Sequence, residues 1–463
     1  MQYLIIGMLI VATLMSYLVR ALHLPREMML TPEAFSAIAL LIVVARLPKN
    51  RLTEVEPRYL ALFALLILHL IAGMVVNDEP AGVVISGIRI YLKFMPFFVL
   101  PLLIPQTEQA LKWQFLVLAG ICLLQFPLAW DQRMSGLFKG SLTGDRTVGT
   151  MGISANLSIF LCCAAAVALA LHLRQKLKLW HLVVFLAATL PATMINETKA
   201  TLFIAPFALA VPAMFAGTAS QVGKMKRMMV GALLVAGFLG AFIPTYDYFI
   251  EQRWGYGIVD FFTMKGRVEK YLDKSAGLGS QEVGRVDSMV LPFVAAKHDP
   301  TQAAFGLGAG NVSSSSLGPG FMGEQYYRYG NLVGPTASRL LWEIGWVGLA
   351  LVLCLHFMIF RDALVARHAE GLAGALGLGW IACASIIGLT MFYNVAMQND
   401  GLSYLFWFYS GVVVETASRV RRQQATEIER ERARARRESA FGVATPARPF
   451  GSVAGVRRSA RSP

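Results

Sequence analysis

Runs of about 17 to 22 mostly apolar residues recur along the whole chain, and a helix of that length crosses roughly 30 Å of hydrocarbon. Composition agrees: 56% of the 463 residues are hydrophobic, 15% are charged and the mean hydropathy is +0.55. These values indicate a polytopic membrane protein and not a string of soluble domains. The expected fold is all-α, with about twelve transmembrane helices. They lie near 2 to 19, 30 to 46, 59 to 76, 87 to 104, 113 to 130, 152 to 172, 179 to 195, 199 to 216, 228 to 246, 336 to 360, 372 to 393 and 401 to 417. The second run is the least marked, although Thr31-Pro32-Glu33 makes a plausible helix start. The first follows Met1-Gln2 with no basic stretch or small-residue cleavage site, so it reads as a span and not as a signal peptide.

Basic residues orient these spans. Arg46, Lys49, Arg51 and Arg58 share one loop; Arg174, Lys176 and Lys178 a second; Lys224, Lys226 and Arg227 a third; Arg361 and Arg367 a fourth. Twelve crossings put all four on the side of the C-terminal tail, which the positive-inside rule makes cytoplasmic. Both termini are then expected in the cytoplasm. The tail from Ser418 to Pro463 holds twelve Arg and four Glu, much of the net charge of +14. Beside a membrane this is a topology and anionic-lipid signal, so nucleic acid is not the expected partner. The tail is expected to begin as an exposed helix and to end disordered.

One long polar interval, 247 to 334, separates the ninth and tenth spans on the outer side. It exceeds the usual connection length of under about 15 residues, as functional loops do. The domain reading is therefore 1 to 246 (nine spans), 247 to 334 (outer loop), 335 to 417 (three spans) and 418 to 463 (basic tail). Cys122, Cys162, Cys163, Cys354 and Cys383 all fall in apolar runs with no metal-ligand spacing, so neither a disulfide framework nor a metal is expected. The glycines from Gly306 to Gly310 have the spacing Gly-x-Gly-x-Gly with no strand before them and no helix after them. That pattern does not make a nucleotide fingerprint.

Cations on the outer side need a reason, because insertion does not favour them there. Arg89 and Lys93 stand four apart at the outer start of the fourth span, where like charges repel unless an anion lies between them. They either snorkel to headgroups or form one wall of an anion site. Lys199 has Glu197 nearby for an ordinary ion pair. Arg146 has Asp145 beside it. Arg339 and Glu343, again four apart, are expected to bridge and thereby to shape a site. Arg285 and His298 belong to the polar interval, where an exposed His is more often an ordinary surface residue.

In order along the chain, four fragments resemble the O-antigen ligase and O-antigen polymerase superfamily of integral-membrane glycosyltransferases. Arg146-Thr-Val-Gly-Thr-Met-Gly followed by Asn156 looks like the family's Arg-x-x-Gly-Thr-Phe-Gly…Asn start of a span. Thr198-Lys199-Ala200 looks like its Ser-Arg-Gly/Ala element, with Lys in place of Arg. Arg285, Pro300 and Phe305-Gly306-Leu307-Gly308 resemble its loop pattern. Leu340 to Gly348 resembles the Leu-x-x-x-Glu-x-Gly-x-x-Gly start of the next span. Where ligases of the family carry a His before that Glu, this chain has Gly334-Pro335, which favours a polymerase.

The resemblance implies a GT-C-like membrane fold in the bacterial inner membrane. It also implies polymerisation of undecaprenyl-diphosphate-linked repeat units into O-antigen, capsular or exopolysaccharide. The alternatives are a ligase that passes the glycan to another acceptor and a flippase or exporter of lipid-linked glycans. Such a transfer must neutralise the departing diphosphate and deprotonate the attacking hydroxyl. Arginine suits the first task, since its planar guanidinium binds phosphate oxygens bidentately and stays charged. The expected diphosphate ligands are Arg146 and Arg285, assisted by Arg89, Lys93, Lys199 or Arg339. His298 is the expected base, because its ordinary pKa lies near 6.5, with Glu343 next. No metal, nucleotide sugar or other cofactor is implied. Expected partners are the lipid-linked glycan, membrane lipids and a chain-length regulator or flippase.

Overall fold

The computed structural model describes residues 1–46, 56–136, 146–217, 221–268, 284–315, 317–330 and 334–440. Among these residues there is no strand. The helices, in order, are α1 (Gln2–Ala21), α2 (Thr31–Arg46), α3 (Pro57–Val76), α4 (Ala81–Leu92), α5 (Met95–Leu103), α6 (Glu108–Ser135), α7 (Ser154–Leu173), α8 (Leu179–Thr189) and α9 (Pro191–Met194). They continue with α10 (Thr201–Phe215), α11 (Gln221–Trp254), α12 (Ile258–Thr263), α13 (Arg285–Ala295), α14 (Pro300–Phe305), α15 (Glu324–Tyr329), α16 (Thr336–Ala366), α17 (Gly371–Thr390) and α18 (Asp400–Ala440).

Among the described residues eight are long and apolar enough to cross a membrane, counting α2 together with the turn before it (Glu27–Arg46), or nine if the bent pair α4–α5 counts as one span. The reason shows on α3. Tyr59, Phe63, Leu66 and Leu70 form a buried stripe at helical spacing, while Leu65, Leu68, Ile71 and Val75 on the other side are exposed. A helix apolar on its outer face is stable only where lipid replaces water. Helices α7 and α17 are buried on most of their circumference and form the centre of the bundle. They approach closely because Gly379 has no side chain where a Cβ would lie 2.8 Å from the Cα of Val167.

Several expected spans differ in form. The fourth starts at Ala81 and bends by 43° between α4 and α5. Pro96 has no N–H to offer the preceding turn, so the helix breaks just before it. The seventh is interrupted at Pro191 for the same reason, and the eighth, α10, has 15 residues with Pro206 and Pro212 inside. The expected polar interval also begins later than Asp247. Helix α11 runs on to Trp254, since Tyr246 and Ile250, one turn apart, keep a buried face on it. Gly255, at φ +70, then turns the chain.

The tail continues α18 as an exposed helix past Arg419, while the stretch expected to be disordered, from 441 onward, lies outside the described residues. Where α18 leaves the bundle, Asp362 of α16 is fully buried and accepts from Tyr59 (2.9 Å), Arg58 (2.8 Å) and Arg421. Three donors from two other helices, α3 and α18, thus pin this end of the bundle. The short helices α12 to α15, the turn Asn77–Pro80 and the segment 391–399 pack at the opposite end, where the candidate site lies.

Candidate functional site

Helix α16 is broken near its start. Gly345 has φ +62 and ψ −164, a combination open almost only to glycine. The break frees backbone carbonyls that a continuous helix would use internally, and each must find a donor. The glycine cluster supplies two. The N–H of Leu307 donates to Trp342 O at 2.7 Å and the N–H of Gly308 to Glu343 O at 3.0 Å. His69 of α3, stacked on Phe305, places Nε2 2.8 Å from Ile344 O. The Gly-x-Gly-x-Gly segment is therefore a cap for a broken helix. Gly308 sits at φ +97, a conformation that favours glycine, and packs against the carboxyl of Glu79.

The cap leaves an acidic pair beneath it. Glu343 is fully buried; its Oε2 accepts from Tyr91 Oη at 2.7 Å, and its Oε1 has no partner among the described residues. Both carboxyl oxygens of Glu79, in the turn Asn77–Pro80, are likewise buried without a partner. Burial, reinforced by the charge of Glu343, pushes the Glu79 carboxyl up to about 8. The expected Arg339–Glu343 bridge does not form among the described residues. Tyr91 takes the carboxylate instead, and the Nε of Arg339 is buried with no hydrogen-bond partner among the described residues.

Arg89 and Lys93 are not free to hold a substrate anion. The anion between them is the chain's own: Glu33 of α2 accepts from Arg89 Nε at 2.6 Å and lies 3.3 Å from Lys93 Nζ, which also reaches Asp400 at 2.6 Å. This network ties α2, α4 and α18 together, so the expectation that both residues bind diphosphate is corrected to a structural role.

Lys199 and Arg285 both lie at the walls of one cavity. Lys199 lines a cavity of about 360 Å³ walled by Phe203, Ile204, Phe207, Phe261, Leu389 and Tyr393, and its Nζ lies 4.9 Å from the Phe261 ring centroid. Arg285, the first residue of α13, lies 4.4 Å from the ring centroid of Tyr393, another wall of the same cavity, and its Nε donates to Tyr393 O at 3.1 Å. The cavity is apolar apart from this edge. An amphiphile with an anionic head would find its apolar part accommodated and its charge met by Lys199, with Arg285 close by against Tyr393.

Arg146 stands exposed at the start of the segment leading into α7, with Asp145 outside the described residues. Its backbone N–H donates to Glu197 at 2.9 Å, and Glu197 pairs with Arg133 of α6 at 3.2 Å. The segment behind it descends without helical structure, yet its amides are satisfied. Gln132 Oε1 accepts from Val148 and Gly149 at 2.9 and 2.8 Å, and Gln125 Oε1 accepts from Thr150 at 3.0 Å. Arg133 and the two glutamines were not anticipated. Their signal was two amides seven residues apart, on one face of an apolar run.

His298 is exposed on the turn between α13 and α14. Helix α13 separates it from Arg285 by roughly 16 Å, at about 1.5 Å per residue. It is therefore a surface residue, whereas Glu343, the other expected acid–base group, is buried beside Tyr91. No family model matches the chain, and no curated protein sequence matches it.

Proposed function

We propose that the chain transfers glycans from a polyprenyl-diphosphate carrier, and specifically that it polymerises lipid-linked repeat units at the outer face of a bacterial inner membrane. The observation that carries this reading is an apolar cavity lined by Lys199, with Arg285 packed against its Tyr393 wall. The carrier has the same polarity, with an isoprenoid chain ending in a diphosphate. In this reading the polypeptide crosses the membrane twelve times, counting α4–α5, α8–α9, α10 and the first part of α18 as crossings. Both termini are then cytoplasmic, and α12 to α15 form the outer loop.

Chemically, the acceptor hydroxyl attacks the anomeric carbon, and the new C–O bond forms as the bond to the diphosphate oxygen breaks. The diphosphate leaves with the electron pair, held by Lys199 and Arg285 with Arg146 at the rim. The hydroxyl proton passes to the unpartnered Oε1 of Glu343. Gly334-Pro335, where ligases of the resembling family carry a His, favours polymerisation over ligation. The test is a null strain complemented with Arg285→Ala or Lys199→Ala and assayed for polymer length on gels. Membrane-inserted protein with chain extension abolished is expected, and wild-type polymer lengths from both variants would refute the assignment.

A further inference from the structure

Beneath α13 and α14 lies a second cavity, of about 220 Å³, distinct from the one that Lys199 lines. Phe293 of α13 and Trp342 and Trp346 of α16 wall it, and Lys297 and Gln302 bring polar ends. Phe293 and Trp346 pack with ring centroids 4.5 Å apart, so the wall is preformed. Trp342 is 3% exposed and stacks on Tyr329 at 4.9 Å, yet its indole N–H has no acceptor among the described residues. An indole N–H buried without an acceptor costs about 1 to 3 kcal/mol, and such groups normally find a partner. Among the described residues this wall offers it none.

Flat aromatic faces beside a few hydrogen-bonding groups suit a ligand with an apolar face and a polar edge. A pyranose has that form: its C–H groups lie on one face and its hydroxyls around the rim. We infer that this cavity is a sugar-ring subsite, in which Trp346 and Phe293 receive the ring face. The N–H of Trp342, with Gln302 and Lys297, receives hydroxyl oxygens.

The placement fits a chain of sugars. Arg285 begins α13 and the cavity lies under its far end, roughly 10 to 16 Å away at about 1.5 Å per residue. The subsite would thus hold a sugar one or more rings removed from the diphosphate. The identity of the ligand rests on the glycan-transfer reading above, but the cavity can be tested apart from it.

The experiment measures binding by full-length protein in lipid nanodiscs. One probe is a panel of defined, fluorescently labelled pyranose oligosaccharides; the other is a short-chain polyprenyl diphosphate with no sugar. Wild-type protein is expected to bind at least one oligosaccharide. Trp346→Ala, at a half-exposed position, should weaken that binding by about tenfold or more. Trp342→Phe, which keeps the ring stacked on Tyr329 and removes only the N–H, should weaken it by about fivefold. Both variants should bind the sugar-free diphosphate as the wild type does. Unchanged oligosaccharide affinity in both variants overturns the subsite, as does wild-type binding of the diphosphate with none of the panel. Tryptophan-dependent sugar binding with no affinity for the diphosphate would keep the subsite and overturn the carrier-linked function.

Discussion

The break in α16 makes a demanding prediction, because one residue creates it and three donors depend on it. In Gly345→Ala the side chain enters a φ/ψ region that costs about 1 to 3 kcal/mol for non-glycine residues. The new Cβ would also lie 2.4 Å from the carbonyl oxygen of Ala304, so α14 must move. If α16 straightens instead, Leu307, Gly308 and His69 lose their acceptors, at about 1 kcal/mol each net. Either route costs about 3 kcal/mol. Thermal unfolding in detergent, followed by tryptophan fluorescence, measures the loss, and limited proteolysis of the 300–330 region reports whether the cap has opened. Gly388→Ala is the control: it lies inside α17 with nothing within 4 Å of the new Cβ, and alanine is the better helix former. The control should be neutral or slightly stabilising. Equal stability and equal proteolysis in Gly345→Ala and wild type would refute the capping argument.

Other perturbations are as specific. Glu79→Gln should change how stability depends on pH. The folded Glu79 carboxyl sits near 8 against an ordinary value of 4.5, so below 4.5 both states hold the proton and nothing is lost. Between 4.5 and 8 the unfolded chain releases it while the folded chain keeps it, and the wild type loses stability as pH rises. Allowing for solvent screening of a partly exposed group, the loss is about 2 kcal/mol. The Gln variant should show no such decline in a melting series from pH 5 to 9, and a parallel decline in both would contradict the assignment. Asp362→Asn leaves Arg58 and Arg421 without their shared carboxylate and should cost about 3 to 5 kcal/mol, read from the melting temperature. Arg146→Ala should shift stability by less than about 0.5 kcal/mol, since the contact to Glu197 is made by the backbone. Its effect should appear in polymer length alone, and a large drop in melting temperature would assign it a structural role. Removing one cation from a developing diphosphate, as in Arg285→Ala, should slow transfer by about 100-fold or more, measured as initial rate.

Much of the fold was legible because span length is a one-dimensional property. Apolar runs such as 57–76 and 154–173 must become helices in lipid, whatever they pack against. The breaks were less visible. Pro96 and Pro191 announce theirs, but Gly345 looks like any glycine in a membrane helix until the capping segment from far along the chain is seen against it. The site divided along the same line. Cations in unlikely places drew attention to Lys199 and Arg285. The same reasoning misassigned Arg89 and Lys93, because the anion between them, Glu33, comes from another helix. Glu79 was overlooked for a related reason: Asn-Asp-Glu-Pro reads as a solvated turn, and the packing of Gly308 against its carboxyl comes from far along the chain. Residue type shows which chemistry is available. Partnership across helices decides which role each group takes.

The most direct test of the central claim is reconstitution. Purified protein in liposomes, given one undecaprenyl-diphosphate-linked repeat unit as sole donor and acceptor, should produce a ladder of longer glycans still attached to the lipid diphosphate. Donor that remains at one repeat unit, with full-length folded protein present, would contradict the account.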